Sequence, residues 1–308
     1  MNKNSKILIS GATGLIGTQL INSLIGRGYY NIFILTRAFK NNLNFTKSIQ
    51  QIIWDPKSSK IDEKNLNDID IVFNLVGENI ADGLWTKSKK QRLLDSRVNS
   101  TQLIISSLAK QKHKPKKFIS SSAIGIYGDC ANADLNESSS LGEGFLSNLC
   151  HQWEKAALDH SISGMDSYCL RTGLVLSKNG GALQKMLTPF KLGLGGPLGS
   201  GQQYMSWIHM DDLINQFIFV MKTDSKHQIF NAVSPNPVTN LAFSKSLANT
   251  LHRPCLFTIP KFVLKTVLGD LSQILLDSQK VYPKHFEHEE FKFKFTHLAD
   301  ALNNILEN

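Results

Sequence analysis

Short apolar runs alternate with amphipathic stretches through the first half of the chain. Ile7–Ser10, Ile32–Thr36, Ile52–Trp54, Ile69–Leu75, Lys117–Ser122 and Ser167–Arg171 read as strands. Several are unbroken runs rich in Ile and Val, as strands buried on both faces require. Helical spacing fills the gaps. Leu15–Gly26 sets Leu15, Ile16, Leu20, Leu24 and Ile25 on one stripe. Thr86–Gln111 carries Leu93, Leu94, Val98, Leu103, Ile104 and Leu108 at the spacing of one long helix, and Phe145–Leu158 is another. The alternation predicts an α/β fold, a doubly wound parallel sheet with right-handed crossovers and helices on both faces. Beyond Ser177 the pattern changes. Residues 193–201 hold five glycines and a proline, and read as loop. Asp211–Met221 is helical again, Gln228–Val233 is one more strand, and the chain from Val238 onward is mainly helical.

The first strand runs into Ser10-Gly-Ala-Thr-Gly-Leu-Ile-Gly17, which opens the first helix. Gly11 permits the tight turn, Gly14 lets the backbone approach a pyrophosphate, and Gly17 lets helix and strand pack closely. The helix N-terminus offers N–H groups and a positive dipole end to phosphates. Gly11, Ala12, Thr13, Gly14, Leu15, Ile16 and Gly17 are therefore expected to bind a dinucleotide, which makes the sheet Rossmann-type. The end of the second strand chooses the cofactor. It reads Thr36-Arg37, with Lys40 nearby and no carboxylate before Asp55. An NAD site places an acid there for the ribose 2′-OH, whereas Arg37 suits a 2′-phosphate, so NADP(H) is expected. The dinucleotide-binding domain is expected over residues 1–177, completed by about 206–233. Residues 178–205 and 234–308 would form a smaller, mainly helical substrate lobe.

Composition narrows the class. The chain has 308 residues, 42% hydrophobic and 19% charged, which excludes a disordered chain. No run approaches the roughly 18 apolar residues of a membrane span. Met1–Lys6 leads directly into Ile7-Leu8-Ile9, too short a core for a signal peptide, so a cytoplasmic protein is expected. Four cysteines, none in a C-x-x-C pair, give no zinc knuckle, and no metal site is expected. The net charge of +9 comes partly from Lys87–Lys90 and Lys110–Lys117. These runs read as solvated, without the aromatic interleaving of a nucleic-acid surface. Expected partners are a small-molecule substrate, with no nucleic acid or membrane; the oligomeric state, monomer or homodimer, stays open.

The Gly11, Gly14, Gly17 spacing resembles the extended short-chain dehydrogenase/reductase superfamily. So do Asn74-Leu-Val-Gly-Glu-Asn-Ile80, Ser96-Arg-Val-Asn-Ser-Thr-Gln-Leu103, Ser120-Ser-Ser-Ala-Ile-Gly-Ile-Tyr-Gly128 and Arg171-Thr-Gly-Leu-Val-Leu176. With Phe190–Gly201 and Ser206-Trp-Ile-His-Met-Asp-Asp-Leu213, they resemble its atypical YfcH-like epimerase family, from about residue 6 to the end. One departure is Glu290, before Phe291-Lys-Phe293, where that family tends to have Gly. The resemblance implies further cofactor contacts. Leu75, Val76 and Gly77 would line the site, Asp55 would accept from the adenine amino group, Arg97 would reach a phosphate, and Val175 would pack near the nicotinamide.

Members of that superfamily pair a Tyr with a Lys four residues on, and the Lys lowers the phenol pKa. None of the six tyrosines has Lys at that distance. By position, Cys150 stands for the Tyr and Glu154 for the Lys. A thiol beside a carboxylate has a raised pKa, so Cys150 reads as a buried helix residue rather than a nucleophile. The catalytic candidates left are Ser122, for a substrate oxygen, and Tyr127, as a proton donor. His209 and Asp212 read as helix-start residues and His151 as solvent-facing. Two functions follow: an NADP(H)-dependent oxidoreductase or epimerase acting on a small carbonyl, hydroxyl or nucleotide-sugar substrate, or a non-catalytic NADP-binding regulatory module. The glycine-rich segment 193–201 suits a substrate lid, which favours the enzyme.

Overall fold

The computed structural model describes residues 2–40, 45 and 49–307. In chain order, the strands are β1 (Ile7–Ser10), β2 (Ile32–Thr36), β3 (Gln50–Asp55), β4 (Lys60–Ile61), β5 (Ile71–Asn74), β6 (Lys117–Ala123) and β7 (Asp134–Leu135). They continue with β8 (Asp166–Thr172), β9 (Leu174–Leu176), β10 (Tyr204–Met205), β11 (Trp207–His209), β12 (Ile229–Ala232), β13 (Val238–Thr239) and β14 (Lys280–Val281). Eight of them form one sheet in the order β12-β8-β6-β5-β1-β2-β3-β4. Every pairing in it is parallel except β3 with β4.

Side chains alternate across a strand, so each unbroken apolar run feeds two cores at once. Ile7, Ile9, Ile34, Ile71, Phe73, Ile119 and Leu170 face one layer with α1 (Leu15–Gly26). Leu8, Leu35, Ile52, Val72, Phe118 and Cys169 face the other with Ile104, Ile105 and Leu108. Each fully buried Leu, Ile or Phe contributes about 1.5–3 kcal/mol, which is what holds so central a sheet against chain entropy.

The stretch expected to be one helix over 86–111 is two. α2 (Lys87–Asp95) begins with the Thr86 hydroxyl accepting Lys89 N–H at 3.1 Å, and α3 (Val98–Ala109) follows a break at Ser96 and Arg97. Local side-chain bonds make the break. Ser96 Oγ accepts Glu78 N–H at 2.9 Å, and Arg97 bonds the Leu93 and Glu78 carbonyls at 3.1 Å each. Apolar periodicity continues through the joint, but these polar groups compete with the helical ladder. The joint therefore turns toward the loop after β5.

α4 (Gly144–Leu158) packs on the β6–β8 side, α5 (Gly181–Lys191) follows β9, and α6 (Met210–Lys222) covers the β1 layer. The rest comprises α7 (Asn240–Thr250), α8 (Lys261–Leu268), α9 (Gln273–Leu276), α10 (Lys284–His288) and α11 (Leu298–Leu306). A separate core unites Leu183, Leu187 and Phe190 of α5 with Trp207, Phe243, Leu247, Leu298 and Leu302. Asp212 locks it to the sheet region by accepting the N–H groups of Lys294 and Phe295 at 2.8 Å.

Candidate functional site

Because β1, β2, β3, β5, β6 and β8 run in parallel, their carboxyl ends share one edge, where open α/β sheets bind ligands. The glycine turn lies there. Gly11 has φ +70°, and a Cβ on it would stand 2.5 Å from the Leu75 carbonyl oxygen. A Cβ on Gly17 would stand 2.3 Å from Gly11 O. Both glycines are thus required by the backbone itself. Gly14 is different: it is exposed, has ordinary φ, and its Cβ would meet only Gly11 O at 3.2 Å. Thr13 is exposed, Leu15 and Ile16 are half-buried, and Ala12 is buried beneath them. Among the described residues no side chain caps α1, whose N-cap is Gly14, and no acid lies in its first turn. An open turn over an uncapped helix N-terminus suits an anionic ligand.

A polar seam holds this edge in register. Ser10 Oγ donates to Asn74 Oδ1 at 2.8 Å, and Asn74 Nδ2 donates to Thr101 Oγ1 at 2.8 Å and Ser120 Oγ at 3.1 Å. Beyond the seam come half-buried Leu75 and Val76, then exposed Gly77. A Cβ on Gly77 would stand 3.0 Å from Arg97 Cζ, so the guanidinium lies directly behind that loop. It also sits over the Trp153 ring, 5.2 Å from its centroid. Burial lowers the Arg97 pKa from its ordinary value.

At the end of β2, Thr36 donates to Ala38 O at 2.7 Å, while Arg37 is exposed and makes no hydrogen bond or ion pair among the described residues. Asp55 ends β3. Its carboxylate accepts Ser58 Oγ at 2.6 Å and Lys57 N–H at 3.0 Å, and these bonds hold its pKa below the ordinary value. Both oxygens already close the turn to β4. Val175 is half-buried on β9, and the loop after it returns to the glycine turn: a Cβ on Gly180 would stand 3.2 Å from Leu15 Cδ1. The fold therefore gathers the glycine turn, Leu75–Gly77, Arg97 and Val175, with Arg37 and Asp55 along the same sheet edge.

The candidate catalytic residues lie in a buried network. Ser122, near the end of β6, donates to Glu154 Oε1 at 2.6 Å. Arg171 clamps the same carboxylate through Nε at 2.9 Å and Nη2 at 2.8 Å. Burial alone would lower the Arg171 pKa, but the Glu154 hydrogen bonds and charge outweigh it and raise it. Arg171 Nη1 also donates to the Tyr127 hydroxyl at 2.9 Å, and that hydroxyl lies 2.8 Å from Asn231 Oδ1, its acceptor. Tyr127 is 0% exposed, and burial raises its pKa. The geometry ties Tyr127 to the sheet interior rather than to a cleft. The sequence reading missed the Glu154–Arg171 pair, although one signal was present. An acid on the apolar face of a helix needs a buried cation. Cys150 is buried, and burial, with Glu154 adding to it, pushes its thiol up to about 12. His209 caps α6 by accepting Asp211 N–H at 3.0 Å, and His151 is exposed.

Known proteins are similar to this chain over nearly its whole length. The model of the NAD dependent epimerase/dehydratase family matches residues 7–232, and that of a domain of unknown function, DUF1731, matches residues 259–305. Epimerase family protein SERP0438 of Staphylococcus epidermidis is 37% identical over 98% of this chain and 99% of its own. Epimerase family protein ML0860 of Mycobacterium leprae is 31% identical over 98% of this chain and 96% of its own. The crystal structure of human epimerase family protein SDR39U1 with NADPH superposes with a TM-score of 0.88 at 32% identity, covering 99% of this chain and 100% of that one. A nucleoside-diphosphate sugar epimerase from Corynebacterium glutamicum gives a TM-score of 0.78 at 28% identity, covering 98% of this chain and 58% of that one.

Proposed function

Since the chain belongs to the NAD dependent epimerase/dehydratase family, as an atypical YfcH-like short-chain dehydrogenase/reductase with a DUF1731 C-terminal region, we propose that it is an NADP(H)-dependent oxidoreductase or epimerase-like enzyme acting on a small carbonyl, hydroxyl or nucleotide-sugar substrate. The observation that carries this reading is the pairing of an open, uncapped glycine turn with exposed Arg37. The solved human relative was crystallised with NADPH, which supports the same choice.

In this reading the N–H groups of the Gly11–Gly17 turn hold the pyrophosphate, and Arg37 pairs with the 2′-phosphate. Thr36 and Asp55 flank the adenosine end. Leu75, Val76 and Gly77 form the wall behind the ribose, Arg97 adds positive charge behind Gly77, and Val175 packs near the nicotinamide. A bound nicotinamide supplies hydride chemistry. Residues 1–177 with about 206–233 form the cofactor domain, and 178–205 with 234–308 hold the substrate.

Ser122 is the residue placed to orient the substrate. Its hydroxyl hydrogen is committed to Glu154, so its oxygen serves as an acceptor. That suits orientation of a substrate hydroxyl. Tyr127 positions Arg171, which in turn fixes Glu154. One observation favours a second reading, an NADP-binding regulatory module: the Tyr and Lys positions of the superfamily hold Cys150, whose thiol is pushed up to about 12, and Glu154.

Fluorescence titration of NADPH and NADH against wild type and Arg37→Ala tests the cofactor assignment. An Arg–phosphate bond contributes roughly 1.5–3 kcal/mol, so NADPH should bind about ten- to hundredfold more tightly, with the preference lost in the variant. Equal wild-type affinities reject NADP. A screen of carbonyl compounds and nucleotide sugars with NADPH then separates the two functions. Any activity found should fall on the order of ten- to a thousandfold in Ser122→Ala and persist in Cys150→Ala. No turnover across the screen favours the regulatory module.

A further inference from the structure

At the opposite end of the sheet, a second group of side chains has no part in the dinucleotide site. His227 lies just before β12, and His288 and Glu289 end α10. His227 is 61 residues before His288, yet one ligand atom from each of the three lies within 4.8 Å of the others. Because β12 is parallel to β8, His227 sits at its amino end, whereas the glycine turn follows the carboxyl end of β1. We propose that His227, His288 and Glu289 form a binding site for a divalent transition metal of the zinc type.

The donors fit that chemistry. Two imidazoles and one carboxylate are ligands that zinc accepts, leaving a fourth position for water. Bonds of about 2.0–2.2 Å bring the donors of a tetrahedral ion to roughly 3.4 Å from one another. His288 is exposed, so its side-chain torsions can close that gap without moving the backbone. Neighbouring groups fix Glu289 and the His227 ring, as the outer shell of a metal site does. Ser225 Oγ donates to Glu289 Oε1 at 2.5 Å and accepts the His227 backbone N–H at 3.0 Å. The His285 ring stacks on His227 with centroids 3.8 Å apart, and its Nδ1 is anchored 2.7 Å from Ile229 O. Behind His285, the Glu137 carboxylate accepts the Asn231 and His285 N–H groups on Oε1. Its buried Oε2 has no hydrogen-bond partner among the described residues. Glu287 nearby is already paired with Lys284 at 3.0 Å, which leaves Glu289 as the carboxylate among the three ligands.

The ion would tie an edge strand of the sheet to the C-terminal region. Sheet edges are held by few contacts, so a bound metal there stabilises the folded chain by mass action. The site would be structural and independent of cofactor binding.

The test uses the full chain, stripped with a chelator and dialysed. Zinc is titrated by calorimetry and cobalt by its visible absorption. Wild type should take up one equivalent of zinc, with a rise in the melting midpoint. His227→Ala and His288→Ala should each weaken uptake at least about tenfold. His151→Ala, an exposed histidine elsewhere, should bind zinc as wild type does. An NADPH titration on every variant confirms that it is folded, and it also separates failure of this site from failure of the cofactor assignment. The proposal is overturned if folded wild type takes up no zinc, or if the folded His227→Ala/His288→Ala double variant binds zinc like wild type.

Discussion

Two segments of this chain are rich in glycine, and they differ in what they leave exposed. In the turn over residues 11–17, Thr13 and Gly14 are exposed above a helix start that no side chain caps. In the segment over residues 193–201, Gly195, Gly196, Pro197 and Gly201 are buried. A Cβ on Gly196 would stand 1.7 Å from Phe257 O, and one on Gly195 would stand 2.3 Å from the Phe190 ring. The backbone is also stitched down. Ile259 N–H donates to Pro197 O at 2.9 Å, Gly199 N–H to Ile259 O at 2.8 Å, and Leu198 N–H to Asn240 Oδ1 at 2.8 Å. The expectation of a substrate lid gives way here. These glycines let two backbones touch, and a segment so bonded is a strap between α5 and the C-terminal residues. Glycine count alone does not separate a ligand cradle from a packing seam. Both segments use glycine for close packing, Gly11 and Gly17 in the one and Gly195 and Gly196 in the other, and what separates them is exposed Gly14, whose outer side meets no protein.

The largest effect should come from filling the filled space. Gly196→Ala drives a methyl into the Phe257 carbonyl, and neither backbone has room to yield. Overpacking of this kind costs about 3 kcal/mol, lowering the melting midpoint of a chain this long by roughly 5 °C. The folded fraction should bind NADPH like wild type. An unchanged midpoint would mean that the strap is loose, which would restore the lid.

Gly14→Val should do the reverse. Its Cβ meets Gly11 O at 3.2 Å but the rest of the side chain is exposed, so the ligand-free melting midpoint should fall less than in Gly196→Ala. The pyrophosphate can then no longer approach the backbone, and NADPH affinity should fall at least about a hundredfold, or roughly 2.7 kcal/mol. Calorimetry with circular dichroism reads both quantities. Retained NADPH binding with normal spectra would place the cofactor elsewhere and erase the contrast between the two segments.

How far the sequence carries follows the same physics. Ile7–Ser10, Ile32–Thr36 and the long apolar strands were legible because burial on both faces leaves an unbroken hydrophobic run. The glycine turn was legible because its three constraints fall within seven consecutive residues. The break at Arg97 was not, since it depends on where one guanidinium finds carbonyl partners. Nor was the Ser122–Glu154–Arg171 network, whose members come from β6, α4 and β8 and meet only once the sheet is closed. His227 and His288 belong to the same class, because nothing local in either segment announces the other.

A last position sharpens the comparison by running it backwards, with glycine absent where the backbone calls for it. Glu290 stands where the resembling family tends to have Gly, and its φ is +57°. It follows α10 as the residue that ends the helix: its N–H bonds Glu287 O at 3.0 Å, and Phe291 N–H reaches Phe286 O at 2.9 Å. Helices commonly close this way through a left-handed residue, usually Gly, because any Cβ crowds the backbone there. Glu290 is exposed, so no packing is lost when its side chain is removed. Gly would relieve the left-handed cost but add unfolded-chain entropy, leaving a net gain of about 0.5–1 kcal/mol for Glu290→Gly. Denaturant unfolding of wild type, Glu290→Gly and Glu290→Ala separates the causes. Conformational relief predicts that only the glycine variant gains. Equal gains in both would instead assign the effect to removing a negative charge beside Glu287 and Glu289, and the left-handed turn would then cost this chain nothing measurable.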